Sequence, residues 1–303
     1  MNGVEQALAG GIESGTIILY PALGELLGER AGVVNLGTEG CMLAGALAAY
    51  ALAATTGSAW LGLFAGIGAG AVLGLAHAYL VVQRRADQLA SGLVMWFLAI
   101  GLTSLLGAPY VSASVNPLPV VAVPGLSKLA IIGPIFFVHD PLVYVGYGLV
   151  PLMWWFLFRT RPGLVLRATG ERPETVSVSG RRPELVQVAA VTAGAALAGL
   201  GGAALSVGYV DSWFDDMTNG YGFVAVAVVL FAAWRPHRVL FGSYLFGVAL
   251  SAASVLQVHG VAVNQYLLDA LPYLVTTIAL VVFARRSGSR APEGLTRALT
   301  NTT

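Results

Sequence analysis

Residues Phe158–Glu184 read FRTRPGLVLRATGERPETVSVSGRRPE, the only long polar island in a chain that is otherwise near-continuous apolar helix. The island carries six arginines (Arg159, Arg161, Arg167, Arg172, Arg181, Arg182) and three glutamates (Glu171, Glu174, Glu184). Within it, Pro173 and Gly180 bracket a segment of about two turns. Proline suits a first helical position, where its missing N–H would have no partner, and glycine suits the site just past a helix end, where positive φ is needed. Pro183 opens the next helix in the same way. Pro173 to Ser179 is therefore read as a short helix lying across a membrane surface, offered to a partner. A solvated basic loop with no partner stays open as a second reading. The alternation Thr175, Val176, Ser177, Val178, Ser179 would also suit a strand, but an isolated strand has nothing to pair with.

Outside this island only apolar runs remain. Charged residues are 10% of the 303 positions and hydrophobic residues 57%, too little polar surface to cover a soluble domain. Runs of roughly 17–24 apolar residues fit a bilayer core instead. The fold class this implies is an all-α polytopic membrane protein, one transmembrane domain over residues 1–303. Hydropathy places nine spans at 12–27, 36–54, 60–82, 89–107, 142–158, 187–209, 222–234, 239–257 and 267–284. The first and seventh are short, with room for about 24 and 20 Å of helix against a core of about 30 Å. Each is expected to be a broken helix completed by irregular backbone, for which Gly28, Gly32 and Asn35, and Asp216, Asn219 and Gly220, are suited.

All fifteen arginines then fall on one face. They lie in the connections after spans one (Arg30), three (Arg84, Arg85), five and seven (Arg235, Arg238), and in the tail 285–303. The positive-inside tendency makes that face cytoplasmic, together with loop 159–186 and the C-terminus. The opposite face holds Glu5, Asp140, Asp211, Asp215 and Asp216, with Lys128 as its one base, and includes the external loop 108–141. Gly66, Gly70 and Gly74 in span three, and Ala195, Gly199 and Ala203 in span six, are spaced for close helix packing in lipid. Trp154, Trp155, Trp213 and Trp234 near span ends suit an aromatic belt.

No P-loop, metal-ligand cluster or nucleophilic arrangement is present in the sequence, and the arginines at span ends carry no nucleic-acid footprint. No catalytic residue, metal or cofactor is expected. Cys41, the single cysteine, and His77, alone in a span, are read as packed residues. Three polar groups near span starts are candidates for a substrate pathway. Asn35, Thr38 and Glu39 open span two, where an ionisable group is either functional or a charge meeting a helix dipole. Asp87, Gln88 and Ser91 open span four, with Asp87 as an N-cap. Asn219 and Tyr221 open the short seventh span. Trp96, with Phe97 beside it, would supply an aromatic face.

The runs GERAGVVNLGTEG (28–40), RADQLASG (85–92), LRATGERPETVSVSG (166–180) and GYGFVAVAVVLFAAWRP (220–236) together resemble the permease subunits of bacterial ABC importers. The group is the one that carries ribose-type sugars, branched-chain amino acids and nucleosides. NLGTEG and the chain length are most similar to the shorter of two permeases in nucleoside importers. The resemblance implies a multi-pass protein of the bacterial inner membrane and a second, longer permease as partner. It also implies two ATP-binding subunits below and an extracytoplasmic substrate-binding lipoprotein above. It identifies Pro173–Ser179 with a coupling helix that enters an ATPase cleft, through Arg167, Gly170, Glu171, Pro173, Glu174 and Gly180. Thr175 departs from the small residue usual at its position. Same-family cargoes (a pentose-type sugar or a branched-chain amino acid) and an ATP-independent secondary transporter are the competing functions. A secondary transporter would show internal repeats and several mid-membrane charges, whereas this sequence has no convincing repeat and few such charges.

Overall fold

The computed structural model describes residues 3–258, 270, 274, 277–278 and 291–300, the last four of these by backbone alone. The expected ninth span at 267–284, and Arg285, Arg286 and Arg290, lie outside the described residues, wholly or in large part. The chain is helical almost throughout. Among the described residues the one ribbon pairs β1 (Val121–Ala122) with β2 (Val138–His139) antiparallel in the 108–141 segment.

Two helices form the axis of the molecule: α1 (Gly3–Arg30) and α2 (Thr38–Thr56). The residues that enclose α1 leave Ile18, Leu19, Tyr20, Leu23 and Leu26 fully buried. Around them stand α3 (Ala59–Ala78), α4 (Gln88–Gly107), α6 (Pro141–Arg159), α9 (Pro183–Ala204) and α11 (Pro236–Val258). A short α5 (Ile132–Phe136) packs near the start of α1. Five helical stretches among the described residues are long and apolar enough to cross a membrane: Ala59–Gln83, Gln88–Tyr110, Pro141–Arg159, Pro183–Tyr209 and Pro236–Val258. They coincide with expected spans three, four, five, six and eight.

Expected span one is corrected. Instead of a short helix of residues 12–27, α1 runs unbroken for 28 residues, with Pro21 inside it. Hydropathy dips at Glu13, Glu25 and Glu29, yet the backbone stays helical. Because other helices surround α1, its lower carboxylates meet protein donors rather than lipid. The irregular backbone lies instead in residues 31–37, which double back beside α1. Expected span seven is short as read: α10 (Tyr221–Phe231) has 11 residues, about 16 Å of helix.

Small residues set the packing. Gly66 faces Ala203 and the Gly45 carbonyl, Gly70 faces Ala195 and Gly199, and Gly74 faces Ala195. The two sequence stripes therefore lie against each other. A Cβ at Gly24 would overlap the Gly194 backbone, so α1 and α9 touch through their main chains. Of the four belt tryptophans, Trp154 and Trp155 are exposed, but Trp213 and Trp234 are buried. The belt reading is corrected for those two. Trp213 packs against Gly107, and the Trp234 indole N–H donates to Glu29.

The polar island folds as two helices. An amphipathic α7 (Arg161–Glu171), capped by Thr160, precedes α8 (Pro173–Val178). The short helix at Pro173 is present as read, and Gly180 has φ +79°. Helix α7, and a tail helix α12 (Glu293–Thr300) that packs on it, have no counterpart in the sequence reading.

Candidate functional site: the discontinuous helix and its polar frame

Helix α10 starts inside the molecule rather than at its end. Residues 211–220 descend to it through the left-handed backbone of Asp211, Asp216, Asn219 and Gly220. The α10 N-terminus is held by one buried carboxylate from the first turn of α2. Glu39 accepts from Thr218 Oγ1 at 2.6 Å, from the Gly220 N–H at 2.9 Å and from the Gly222 N–H at 2.5 Å. Those N–H groups belong to the set that a helix start leaves without intrahelical partners, and the dipole there favours negative charge. The dipole reading of Glu39 is met in part. Glu39 sits in the first turn of its own helix, but its hydrogen bonds go to a different one. Gly222 must be glycine, since a Cβ would lie 2.5 Å from the Glu39 Cα.

At the next residue, Gly40, α4 crosses α2, and a Cβ there would lie 2.9 Å from the Trp96 Cα. Trp96 stacks on Phe97 with centroids 5.0 Å apart and meets Phe223 of α10 edge-on, also at 5.0 Å. The buried Trp96 Nε1–H has no acceptor among the described residues. Phe97 is exposed and Trp96 half-buried. Asn219 is exposed at the head of α10, and Tyr221 is half-buried beside it. Glu39, Trp96, Asn219 and Tyr221 are thus brought to one region of the fold.

The other four pathway candidates lie below it, facing protein. Glu25 of α1 accepts from the Asn35 N–H and from Thr38 Oγ1, both at 2.8 Å, and Asn35 Oδ1 accepts from the Gly37 N–H at 2.9 Å. Gln88 Oε1 accepts from the Val34 N–H at 2.9 Å. His77 lies 3.1 Å from Ser91 Oγ through Nδ1 and 3.2 Å from the Val34 carbonyl through Nε2. These bonds satisfy main-chain groups of the doubled-back segment 31–37, most of whose residues are buried in protein. Asp87 caps α4 as expected, accepting from the Ala90 N–H at 2.7 Å. The sequence reading passed over Glu25, Glu29, His77 and Trp234 as members of this frame. Two glutamates four residues apart at the end of an apolar run were the available signal.

At the far end of α10, Arg30 donates to the Trp234 carbonyl from Nε at 3.2 Å and Nη2 at 2.9 Å. Arg167 and Arg235 lie near Arg30, as does Glu171. The basic residues therefore gather at the end of α1 that carries α7 and α8. Arg167 donates to the Leu157 carbonyl at 2.9 Å. Gly170 lies against the Arg30 carbonyl so closely that a Cβ would overlap it. The Glu171 carboxylate accepts from the Glu293 N–H of α12 at 3.2 Å. Glu174 and Thr175 are exposed on α8, and Val178 at its tip is 90% exposed. Near the opposite end of α1, His139 pairs with Glu13 at 3.1 Å, and Asp140 caps α6 through the N–H groups of Leu142 (2.6 Å) and Val143 (3.2 Å).

These features define a class: a multi-pass helical membrane transport domain whose discontinuous helix ends on a buried carboxylate. The chain belongs to the family described as branched-chain amino acid transport system / permease component, whose model matches residues 7–283. It is the permease component of an ABC transporter and a transport subunit rather than an enzyme. A putative glucose ABC transporter permease of Haloferax volcanii is 37% identical to it over 90% of this chain and 89% of its own. The guanosine ABC transporter permease NupQ of Bacillus subtilis is 30% identical, and the nucleoside ABC transporter permease NupC of Lactococcus lactis 31%, each over 92% of both chains. No solved structure matches the chain.

Proposed function

We propose that this permease forms half of a nucleoside pathway, with its open side at the region where α4 and the head of α10 meet. The observation that carries the reading is the half-length α10, whose N-terminus stops on Glu39 beside Trp96, Phe97 and Phe223. A discontinuous helix with exposed backbone dipoles is a common way to build a transport site. Aromatic faces suit a planar base by stacking, and the spare Trp96 N–H suits an acceptor on it. Asn219 and Tyr221 border the same opening, while Asn35, Thr38, Gln88 and Ser91 hold the frame that fixes it. Two of the relatives are named for nucleoside substrates, which supports this cargo. A sugar is the second reading, favoured by the glucose permease of higher identity.

In this proposal the arginine-rich end is cytoplasmic, nine spans cross the inner membrane, and the C-terminus lies inside. A second permease completes the pathway, a lipoprotein delivers substrate from outside, and two ATPase subunits bind α7–α8. Arg167 and Gly170 fix α7, while Glu171, Pro173, Glu174, Thr175 and Gly180 shape the exposed α8. ATP closes the two ATPases and biases the permease pair toward one of its states, since a ligand shifts an equilibrium only through differential affinity. Reconstituted transporter lacking residues 171–180 should lose substrate stimulation of its ATPase. Stimulation of the intact transporter by nucleosides but not by hexoses or pentoses fixes the cargo; the reverse order selects the sugar reading.

A further inference from the structure

The last turn of α1 stands between the polar helices and the discontinuous one. On one side the backbone of α7 presses on it: Gly170 meets the Arg30 carbonyl, and a Cβ at Gly32 (φ +89°) would lie 3.3 Å from the Gly170 Cα. Main-chain contacts this close leave little room for the two helices to slip past each other. On the other side, the Arg30 side chain reaches away toward the chain that leaves α10. Its Nε and Nη2 both donate to the Trp234 carbonyl, while the neighbouring Glu29 accepts from the Trp234 indole. Ala233 and Trp234 adopt left-handed backbone, with φ of +49° and +56°. Non-glycine residues persist there only when surrounding contacts impose it.

The same guanidinium also lies over the Phe158 ring, 5.9 Å from its centroid, and Arg167 lies 5.0 Å from that ring. Phe158 belongs to the end of α6 and Arg167 to α7. One side chain is therefore joined to α6 and α7 through an aromatic ring, and to the end of α10 through a carbonyl. Arginine is suited to both duties at once, because its planar fork gives two parallel N–H bonds and a flat face for stacking.

We propose that Arg30 is the positioning residue that ties α7–α8 to α10, so that displacement of the coupling helices is delivered to Trp234 and along α10 to its cap at Glu39. The inference rests on the reading of α7–α8 as the ATPase-facing element. A merely electrostatic role at the basic end of the protein would need only a positive charge, which lysine supplies. A joint needs the fork and the flat face, which lysine lacks.

The test uses the assembled transporter in proteoliposomes, with Arg30→Lys and Arg30→Met. Cys41→Ala removes the single cysteine, and Asp215→Cys, exposed on the chain leading to α10, reports by its labelling rate with an impermeant maleimide. Co-purification of the ATPase and its basal rate should be unchanged in both variants. Uptake per ATP hydrolysed should fall about tenfold in Arg30→Met, the scale of one charged hydrogen bond, and less in Arg30→Lys. The nucleotide-dependent change in labelling should vanish in Arg30→Met. Full uptake in Arg30→Met, or wild-type behaviour of Arg30→Lys, overturns the joint. Parallel loss of uptake, ATPase and thermal stability also overturns it, leaving a structural role only. If the transporter with Arg30 intact shows no nucleotide-dependent labelling, the ATPase-coupled reading itself fails. That result is distinguishable because it appears without any change at Arg30.

Discussion

Replacing Glu39 by glutamine keeps the shape of the α10 cap and removes its charge. The carboxylate accepts three hydrogen bonds, from Thr218, Gly220 and Gly222. Glutamine offers a single acceptor oxygen, and its amide group would face N–H donors. Bonds to a charged group contribute about 1.5–3 kcal/mol each, and a well-placed helix-terminal charge up to about 2 kcal/mol more. Relief of the desolvation that the buried carboxylate carries offsets part of this. The net loss at the head of α10 should be about 3 kcal/mol, roughly a hundredfold in the local opening equilibrium. Hydrogen exchange read by mass spectrometry over residues 212–225 measures that opening directly. Protection should fall there by about two orders of magnitude, with α3 and α9 unchanged. Thr218→Val, which removes one donor to that carboxylate, should cost about 1.5–3 kcal/mol. Equal protection in Glu39→Gln and the parent protein would refute the claim that this carboxylate holds the discontinuous helix.

Gly24→Leu should cost at least the 1–3 kcal/mol typical of overpacking, because its side chain would have to displace the Gly194 backbone; thermal unfolding in detergent reports it, and an unshifted midpoint contradicts the main-chain contact. Gly180→Ala meets open space and should cost only the 1–2 kcal/mol of a left-handed alanine, with fraying of α8 seen as faster proteolysis at Arg181. Leu295→Asp should release α12 from α7, since Leu295 is 3% exposed; protease sensitivity of the tail should rise while uptake-competent spans stay folded. The His139 pair gives a pH signature. Burial pushes the His139 pKa down, but hydrogen bonds to Glu13 and the Ile135 carbonyl more than reverse this, so the net shift is upward. Its stabilisation is therefore full below the ordinary histidine value of about 6.5 and lost as pH rises through the raised value. His139→Gln should flatten the thermal midpoint against pH across that window, and an unchanged slope would remove His139 as its source.

Much of this protein was legible without coordinates where local sequence sets the physics. In a bilayer each apolar run must satisfy its own backbone, so the spans at 60–82, 89–107, 142–158, 187–209 and 239–257 follow from hydropathy alone. Pro173 with Gly180, and Asp87 before α4, act within a few residues of themselves. The candidate site was half legible. Glu39, Asn219 and Trp96 stood out as polar or aromatic residues at span starts, but nothing in the sequence joins them.

Partners far apart in the chain decided the rest. Glu39 is bonded to residues about 180 positions away, and Glu29 to Trp234, 205 positions away. Such bonds are what allow α1 to run to Arg30 with carboxylates that hydropathy reads as an end. They likewise turn Trp234 from a belt residue into a buried anchor. The sequence determined that the chain is a membrane helix protein with one long basic island, because burial in lipid is a local demand. Only the tertiary structure decided where α10 begins and what holds it, because a buried charge is stable only beside donors that the fold brings to it.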